Sequence, residues 1–527
     1  MSLLARVEDD GDGGDAGEPV SEPVVVLAPM SVEARAIRAG APWAQVQKVG
    51  MGPRRALRSA AAAGDYLSPP ARAVLIAGFC GALDDTLQPG DVVLASELRD
   101  PAGEPVRTAD PSILAGVLRR GGLRVHVGPI ASSEKIVRGE RRRELQRTGA
   151  LAVDMESAWL APAIRDRPLI ALRVVLDTGA RELHRPIRTI AGAATAYRAL
   201  RRACALAEEW THALDAREVL LASPRASCAG VDRAVDIVRA ALAARGAPVY
   251  VRKQIVHNAH VVGSLEALGA IFVEEVDEVP DGATIIFSAH GVAPEVRRAA
   301  AARDLEVIDA TCPLVAKVHA EARRFADAQF DIVLVGHEGH EEVEGTYGEA
   351  PARTHVIASP EEVDELEVVD PERVAYLTQT TLAVDETADV VDALKARFPA
   401  VVGPPSSDIC YATQNRQDAV RTLAAACDLI LVVGSTNSSN SRRLVEVAER
   451  AGCPARLVEG AAEIPPSALV GAHRIGVTAG ASAPETLVQG VIHAIEGLGA
   501  VKVTEHRVAT EKMHFKLPPE VRQQRSQ

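Results

Sequence analysis

The chain has 527 residues, 47% of them hydrophobic but only 3% aromatic. That length suits roughly three to four domains, with α/β cores filled by Ala, Val, Leu and Ile. A net charge of −13 argues against nucleic-acid and anionic-membrane partners, both of which need a basic footprint.

Residues 1–22 mix Glu8, Asp9, Asp10, Asp12 and Asp15 with glycines, the pattern of a disordered acidic tail. Regular structure is expected from the β-branched run Pro23–Pro29, followed by a helix over Ser31–Ala39. Further strands are predicted at Ala73–Gly78, Asp91–Ser96, Val125–Ile130 and Leu169–Leu176. A helix over Thr189–Ala213 closes a first domain at 23–214. No apolar stretch is long enough to span a bilayer and no secretory leader is evident, so the expected location is cytoplasmic.

A second domain, 218–510, repeats one grammar: apolar strand, short loop of small polar residues, helix. Alternating strands and helices imply parallel sheets with ligands at the strand C-terminal ends. Three subdomains are expected, at about 218–313, 314–410 and 411–505, before a tail at 511–527.

Seven cysteines in such a chain do not read as a disulfide framework. Cys80, Cys204, Cys427 and Cys453 lie in apolar or helical surroundings and read as small buried hydrophobes. Cys228, Cys312 and Cys410 are different. They stand 84 and 98 residues apart by subtraction, each follows an apolar run and leads into a helical pattern, and Cys228 and Cys312 lie near predicted helix starts, which favour a thiolate. A structural zinc site usually pairs its ligands closely, as in Cys-x-x-Cys, and no such pair occurs here. Three isolated thiolates favour instead an iron–sulfur cluster with one ligand position open.

The loop Gly434–Ser441 supplies hydroxyls, amides and backbone N–H groups before a helix at 442–450, and Ala481-Ser482-Ala483-Pro484 repeats the device. His257, His290 and His340 stand at strand ends facing these loops. Together they suggest a phosphate-type ligand held by charge-assisted hydrogen bonds. Glu342, two residues from His340, would have its pKa raised beside a polyanion, as a proton donor near neutral pH requires.

Residues 218–505 closely resemble the 4-hydroxy-3-methylbut-2-enyl diphosphate reductases, the LytB/IspH family of the non-mevalonate isoprenoid route. The resemblance runs through Ser-Ala-His-Gly at 288–291, Asp-Ala-Thr-Cys-Pro-Leu-Val at 309–315, Thr-Gln-Thr-Thr-Leu at 378–382, Asp-Ile-Cys-Tyr-Ala-Thr-Gln-Asn-Arg-Gln at 408–417, Asn-Ser-Ser-Asn-Ser at 437–441 and Val-Thr-Ala-Gly-Ala-Ser-Ala-Pro at 477–484. It implies one [4Fe–4S] cluster per chain on Cys228, Cys312 and Cys410. It implies a diphosphate held by His257, His290, His340, Ser438, Ser439, Asn440 and Ser482. Thr380 would lie near the hydroxymethyl end, with Glu342 as proton donor and Thr380 and His340 beside it in the catalytic set. The implied reaction consumes two electrons, from a ferredoxin- or flavodoxin-type donor, and two protons. It releases water and yields isopentenyl and dimethylallyl diphosphates. Three departures from the family pattern stand out: Arg225-Ala226-Ser227-Cys228 for Arg-Gly-Phe-Cys, Lys253-Gln254 for His-Glu, and Glu341 for a proline.

Residues 24–212 resemble the nucleoside phosphorylase and methylthioadenosine nucleosidase superfamily, with a hopanoid-associated phosphorylase flavour. The carrying segments are Ala28–Ala34, Gly78–Leu83 leading to Pro89–Val93, Val153–Ala158 and Val174–Asp177. The resemblance implies that Glu156, after Met155, accepts from both ribose hydroxyls, that Asp177 protonates the leaving purine, and that Glu33 positions a water. Leu176 stands where the nucleosidases carry a serine. The expected architecture is thus a phosphorylase-like α/β domain plus three pseudo-repeated parallel α/β subdomains around a central iron–sulfur cluster. The alternatives are a purine nucleosidase or phosphorylase acting on an adenosylated lipid, with a degenerate C-terminal binding module, and a non-catalytic N-terminal domain.

Overall fold

The computed structural model describes residues 22–62, 71–179 and 186–522; apart from Glu22, the expected acidic tail lies outside the described residues. The chain forms two compact units, one of residues up to Pro111 and Leu118–Leu214, the other of Ser112–Val117 and the residues from Asp215 on. Among the described residues no helix is long and apolar enough to cross a membrane.

The N-terminal strands are β1 (Val24–Ala28), β2 (Gln45–Lys48), β3 (Ala73–Ala82), β4 (Val92–Arg99), β5 (Pro105–Val106), β6 (Val125–Ser132), β7 (Ala152–Asp154) and β8 (Leu169–Asp177). They form one eight-stranded sheet in the order β2-β1-β3-β7-β6-β4-β5, with β8 paired to both β3 and β4. β3, β7, β6, β4 and β8 therefore close a ring. The sheet is mixed: β7 runs antiparallel to β3, and β8 antiparallel to β4. The strands predicted from β-branched runs are present. β3 continues through Gly78-Phe79-Cys80-Gly81 to Ala82, four residues beyond the predicted end. The long helix spans Pro186–Thr211.

The second unit holds three sheets, every one parallel. The strands are β9 (Arg217–Ser223), β10 (Val249–Arg252), β11 (Ala270–Val273), β12 (Thr284–Phe287), β13 (Glu306–Asp309), β14 (Asp331–Val335), β15 (Thr354–Ile357), β16 (Val374–Thr378), β17 (Leu429–Val433), β18 (Ala455–Val458), β19 (Arg474–Ala479) and β20 (Val501–Arg507). Their orders are β11-β10-β12-β13, β15-β14-β16 and β18-β17-β19-β9-β20. Central strands such as β14 and β17 are buried at every position, which explains the apolar runs Ile332–Val335 and Leu429–Val433.

Two expectations need correction. β9, placed by linear order in the first subdomain, is hydrogen-bonded between β19 and β20 in the sheet of the third. The tail expected from residue 511 is packed up to Arg522: Glu511 pairs with Arg416, and Leu517 and Val521 join the core formed around β10, β12 and β13.

Candidate active site

Each of the three isolated cysteines is the N-cap residue of a helix: Cys228 of Ala229–Arg245, Cys312 of Pro313–Asp327 and Cys410 of Tyr411–Ala424. All three line one cavity of about 100 Å³. A Cβ built on Gly230 would lie 2.8 Å from Cys312 Sγ and 3.8 Å from Cys228 Sγ, so two of the sulfurs meet over a helical turn where only glycine leaves room. Cys410 Sγ accepts from Thr413 N at 3.3 Å and lies 3.1 Å from Thr413 Oγ1. Burial, reinforced by the neighbouring thiols, pushes Cys312 up to about 12 and Cys410 up to about 11. Such thiols ionise only if a cation shares the site, and soft sulfur donors select zinc, copper(I) or iron–sulfur centres. The donor set fits an iron–sulfur group. Cys80, Cys204 and Cys453 are buried as expected, and Cys427 is half-buried.

The same cavity is lined by His257, His290, His340, Glu342, Thr380, Ser438, Ser439, Asn440 and Ser482, so every C-terminal site residue predicted from sequence is brought together. His257 and His290 stack at 4.1 Å, and His340 stands edge-on to both, at 5.5 and 5.9 Å. Ser438 caps the helix Ser439–Arg450, and Ser482 Oγ donates to His257 O at 3.0 Å. Among the described residues, neither polar side-chain atom of Asn440 has a partner, nor does His257 Nδ1. Buried polar groups seldom stay unpaired, so these atoms mark where a polar ligand completes the cradle. Burial, with the charge of His290 next, lowers both His257 and His340 to about 3.

Glu342 lies beneath this cradle, 2% exposed. Its carboxylate accepts from Thr380 N at 2.6 Å and Thr380 Oγ1 at 3.1 Å. Burial outweighs these bonds and raises it to about 7. Its neighbour Glu341 turns the other way. Its Oε2 accepts from Ser288 Oγ and faces His290 Nδ1, both at 3.2 Å. Although burial works against the charge, the hydrogen bond and charge of His290 hold Glu341 down to about 2. Two adjacent carboxyls are thus separated by environment alone.

The N-terminal candidates also share a pocket: Glu33, Met155, Glu156 and Asp177 line it with Cys80, Arg142 and Leu176. Glu33 accepts from Met30 N at 2.6 Å and Phe79 N at 2.7 Å, and burial raises it to about 7. Glu156 accepts from Gly52 N at 2.9 Å; burial raises it too, against the pull of Arg173. Arg173, fully buried, is tied to Asp154 at 2.7 Å. A Cβ on Gly78 would meet Glu33 Oε1 at 2.6 Å and Arg173 Nη1 at 2.7 Å, so β3 needs glycine there. Asp177 accepts from Arg142 Nη2 at 2.6 Å, a partner that sequence reasoning missed.

The sequence model of the LytB protein family matches residues 219–496, and that of the phosphorylase superfamily matches residues 32–210. The chain belongs to the LytB family. It is 60% identical over 307 residues to the 4-hydroxy-3-methylbut-2-enyl diphosphate reductase of Leifsonia xyli subsp. xyli, across 58% of this chain and 91% of that protein. It is 56% identical over 310 residues to reductase 2 of Mycobacterium bovis, across 58% and 94%. The solved reductase of Plasmodium falciparum is similar at a TM-score of 0.56 and 38% identity, covering 58% of this chain and 97% of that one.

The departures from the LytB pattern acquire physical content here. Ala226, in place of glycine, sits at φ 59°, a left-handed conformation that costs an L-residue roughly 1–2 kcal/mol. The guanidinium of Arg416, itself fully buried, donates to Ala226 O at 2.7 and 3.1 Å and pins that turn. Gln254 accepts from Asn437 Nδ2 at 2.9 Å, and Lys253 pairs with Glu344 at 3.2 Å, so the replaced pair braces the cradle from outside. Arg416, Gln379 and Phe515 were not singled out from sequence. Gln379, whose Nε2 donates to Thr381 Oγ1 at 2.9 Å, lies inside the Thr-Gln-Thr-Thr motif, and that position was its available signal.

Proposed function

We propose that the cysteine-lined cavity performs the reductive dehydroxylation of (E)-4-hydroxy-3-methylbut-2-enyl diphosphate to isopentenyl and dimethylallyl diphosphates. The observation that carries this reading is the meeting, in one cavity, of three N-cap cysteines, a carboxyl raised to about 7 and a cradle whose amide and imidazole still lack partners. Cys228, Cys312 and Cys410 would hold one [4Fe–4S] cluster, which would supply electrons and Lewis acidity. His257, His290, His340, Ser438, Ser439, Asn440 and Ser482 bind the diphosphate through N–H and O–H donors and the start of the helix Ser439–Arg450. Thr380 orients Glu342 and faces the hydroxymethyl end. Glu342 passes a proton toward the departing hydroxyl, which leaves as water; two electrons and two protons enter per turnover. The electron source is a ferredoxin- or flavodoxin-type protein.

Anaerobic purification tests this directly. The expected protein is brown, contains roughly four irons per chain, and converts the substrate when given a strong reductant. A colourless or zinc-loaded protein, or an iron-loaded one that leaves the substrate intact, refutes the reading.

For the phosphorylase-superfamily domain, the pocket supports cleavage of an N-glycosidic bond. Glu156 is oriented by Gly52 N for the ribose hydroxyls, Glu33 stands where it can take a proton from water, and Asp177 faces the base. Release of purine from methylthioadenosine or an adenosylated lipid, lost in Asp177→Asn, is the expected result. An unchanged release rate in that variant removes Asp177 from the reaction.

A further inference from the structure

Residues 509–518 carry no regular secondary structure, yet they are fixed at several points. Val508 N donates to Ser223 O at 2.9 Å. Glu511 accepts from Arg416 Nη1 at 2.9 Å and Asn415 Nδ2 at 3.1 Å. Arg233 Nε donates to Lys516 O at 3.0 Å, while its Nη1 donates to Ala310 O and Thr311 O at 3.2 and 3.1 Å. Phe515 reaches in to line the cavity. This strap is therefore tied to residues beside all three cysteines: to Ala226 and Ser227 through Arg416, to Ala310 and Thr311 through Arg233, and to the helix that Cys410 caps. Through Phe515 it contributes to the lining of the cavity that holds the thiols.

The outer face of the strap departs from the rest of the molecule. In a chain of net charge −13, residues 507–519 contain one carboxylate, Glu511, and it is spent inward on Arg416. Lys512, His514 and Lys516 are exposed, Arg507 is exposed but paired with Glu505 at 3.4 Å, and Met513 and Val508 expose apolar side chains in the same stretch, at 44% and 39%. A stretch that presents Lys512 and Lys516 with small apolar side chains between and beside them is the complement of an acidic protein surface. Within the second domain the remaining charge is net negative, so among that domain's own surfaces the local field favours the strap for an acidic partner.

We propose that this strap is the docking surface for the electron donor, a small acidic one-electron carrier protein. The proposal rests on the reductase reading above. Each turnover consumes two electrons, so two reduced carriers dock in succession and each leaves oxidised by one electron. Phe515 is the side chain that joins the docking face to the cysteine-lined cavity.

The test uses the full-length holoenzyme under anaerobic conditions and the double variant Lys512→Glu/Lys516→Glu. Two properties are measured against a reduced acidic ferredoxin, the dissociation constant and kcat/KM, each over a salt series. A third assay replaces ferredoxin with reduced methyl viologen, which needs no protein surface. In the variant, ferredoxin binding and kcat/KM are expected to fall by about tenfold or more and to lose most of their salt dependence. Viologen-driven turnover should stay within about twofold, since a small reductant needs no docked orientation on the strap. Unchanged ferredoxin binding overturns the proposal, as does an equal loss with viologen, which would make the strap merely structural. If viologen drives no turnover even in the unaltered protein, the reductase reading falls instead, and the binding constant still decides the docking site.

Discussion

Replacing Glu342 by Gln isolates the proton from the geometry. The carboxylate makes two hydrogen bonds, accepting from Thr380 N and Thr380 Oγ1. A glutamine carbonyl keeps the first, and its amide can donate to the threonine oxygen once that hydroxyl rotates. The fold should hold, because a neutral amide also avoids the desolvation that raises Glu342 to about 7. What disappears is a proton donor matched to neutral pH. General acid catalysis contributes about 10²–10⁴-fold, so turnover should fall by that factor, or roughly 2.7–5.4 kcal/mol of barrier. The sign of the pH dependence follows from the same group: a donor works protonated, so kcat/KM, which reports the free enzyme, declines as pH rises through about 7, and the variant loses that limb. The assay is viologen-driven turnover over a pH series, with the iron absorbance recorded to show that the centre is intact. A variant within about threefold of the parent, or one that keeps the alkaline decline, refutes the role.

Gly230→Ala places a Cβ 2.8 Å from Cys312 Sγ; iron content and visible absorbance should drop with little change in overall folding by circular dichroism, and full iron loading would count against the convergence of the thiols. Ala226→Gly relieves the left-handed alanine at φ 59° and should stabilise the protein by about 0.5–1 kcal/mol after the entropic cost of glycine, read as a higher denaturation midpoint. Glu341→Gln removes a carboxylate that stays ionised at any working pH, being held down to about 2. Because its charge sits against His290 of the cradle and opposes a bound diphosphate, KM should fall about tenfold with kcat nearly unchanged; a raised KM would instead make Glu341 the group that orients His290.

Legibility followed the range of the interactions. Strands such as β14 and β17 announce themselves as short unbroken apolar runs, and the cysteines and histidines at their ends follow locally. The closed ring of β3, β7, β6, β4 and β8 was not legible, since β7 has three residues and ring closure is a long-range pairing without local periodicity. β9 was misplaced for the same reason: its edges are chosen by β19 and β20, whose paired residues lie 256 and 284 positions later. The strap escaped because Glu511 meets Arg416 across 95 residues. Arg142 was hidden among Arg141 and Arg143, whose side chains pair on the surface with Glu144 and Glu140. Only the phase of that helix turns the middle arginine toward Asp177.

The histidine cradle contains one more consequence. His257 and His340, held to about 3 by burial and by His290, are neutral by themselves at neutral pH. A polyanion placed among them reverses the electrostatic balance, because nearby negative charge favours the imidazolium. Binding should therefore raise these pKa values and draw protons from solvent. Where the bound form holds more protons than the free form, affinity strengthens as pH falls, the binding counterpart of the linkage that governs stability. Titration calorimetry with inorganic diphosphate, repeated in buffers of different ionisation enthalpy, reads the uptake directly. Between roughly pH 6 and 8, the window in which histidine charge is set by its surroundings, net uptake and a tighter complex at the acid end are expected. Binding without proton exchange would mean that the diphosphate is held by hydroxyls, amides and helix N–H groups, with the three imidazoles acting as neutral donors.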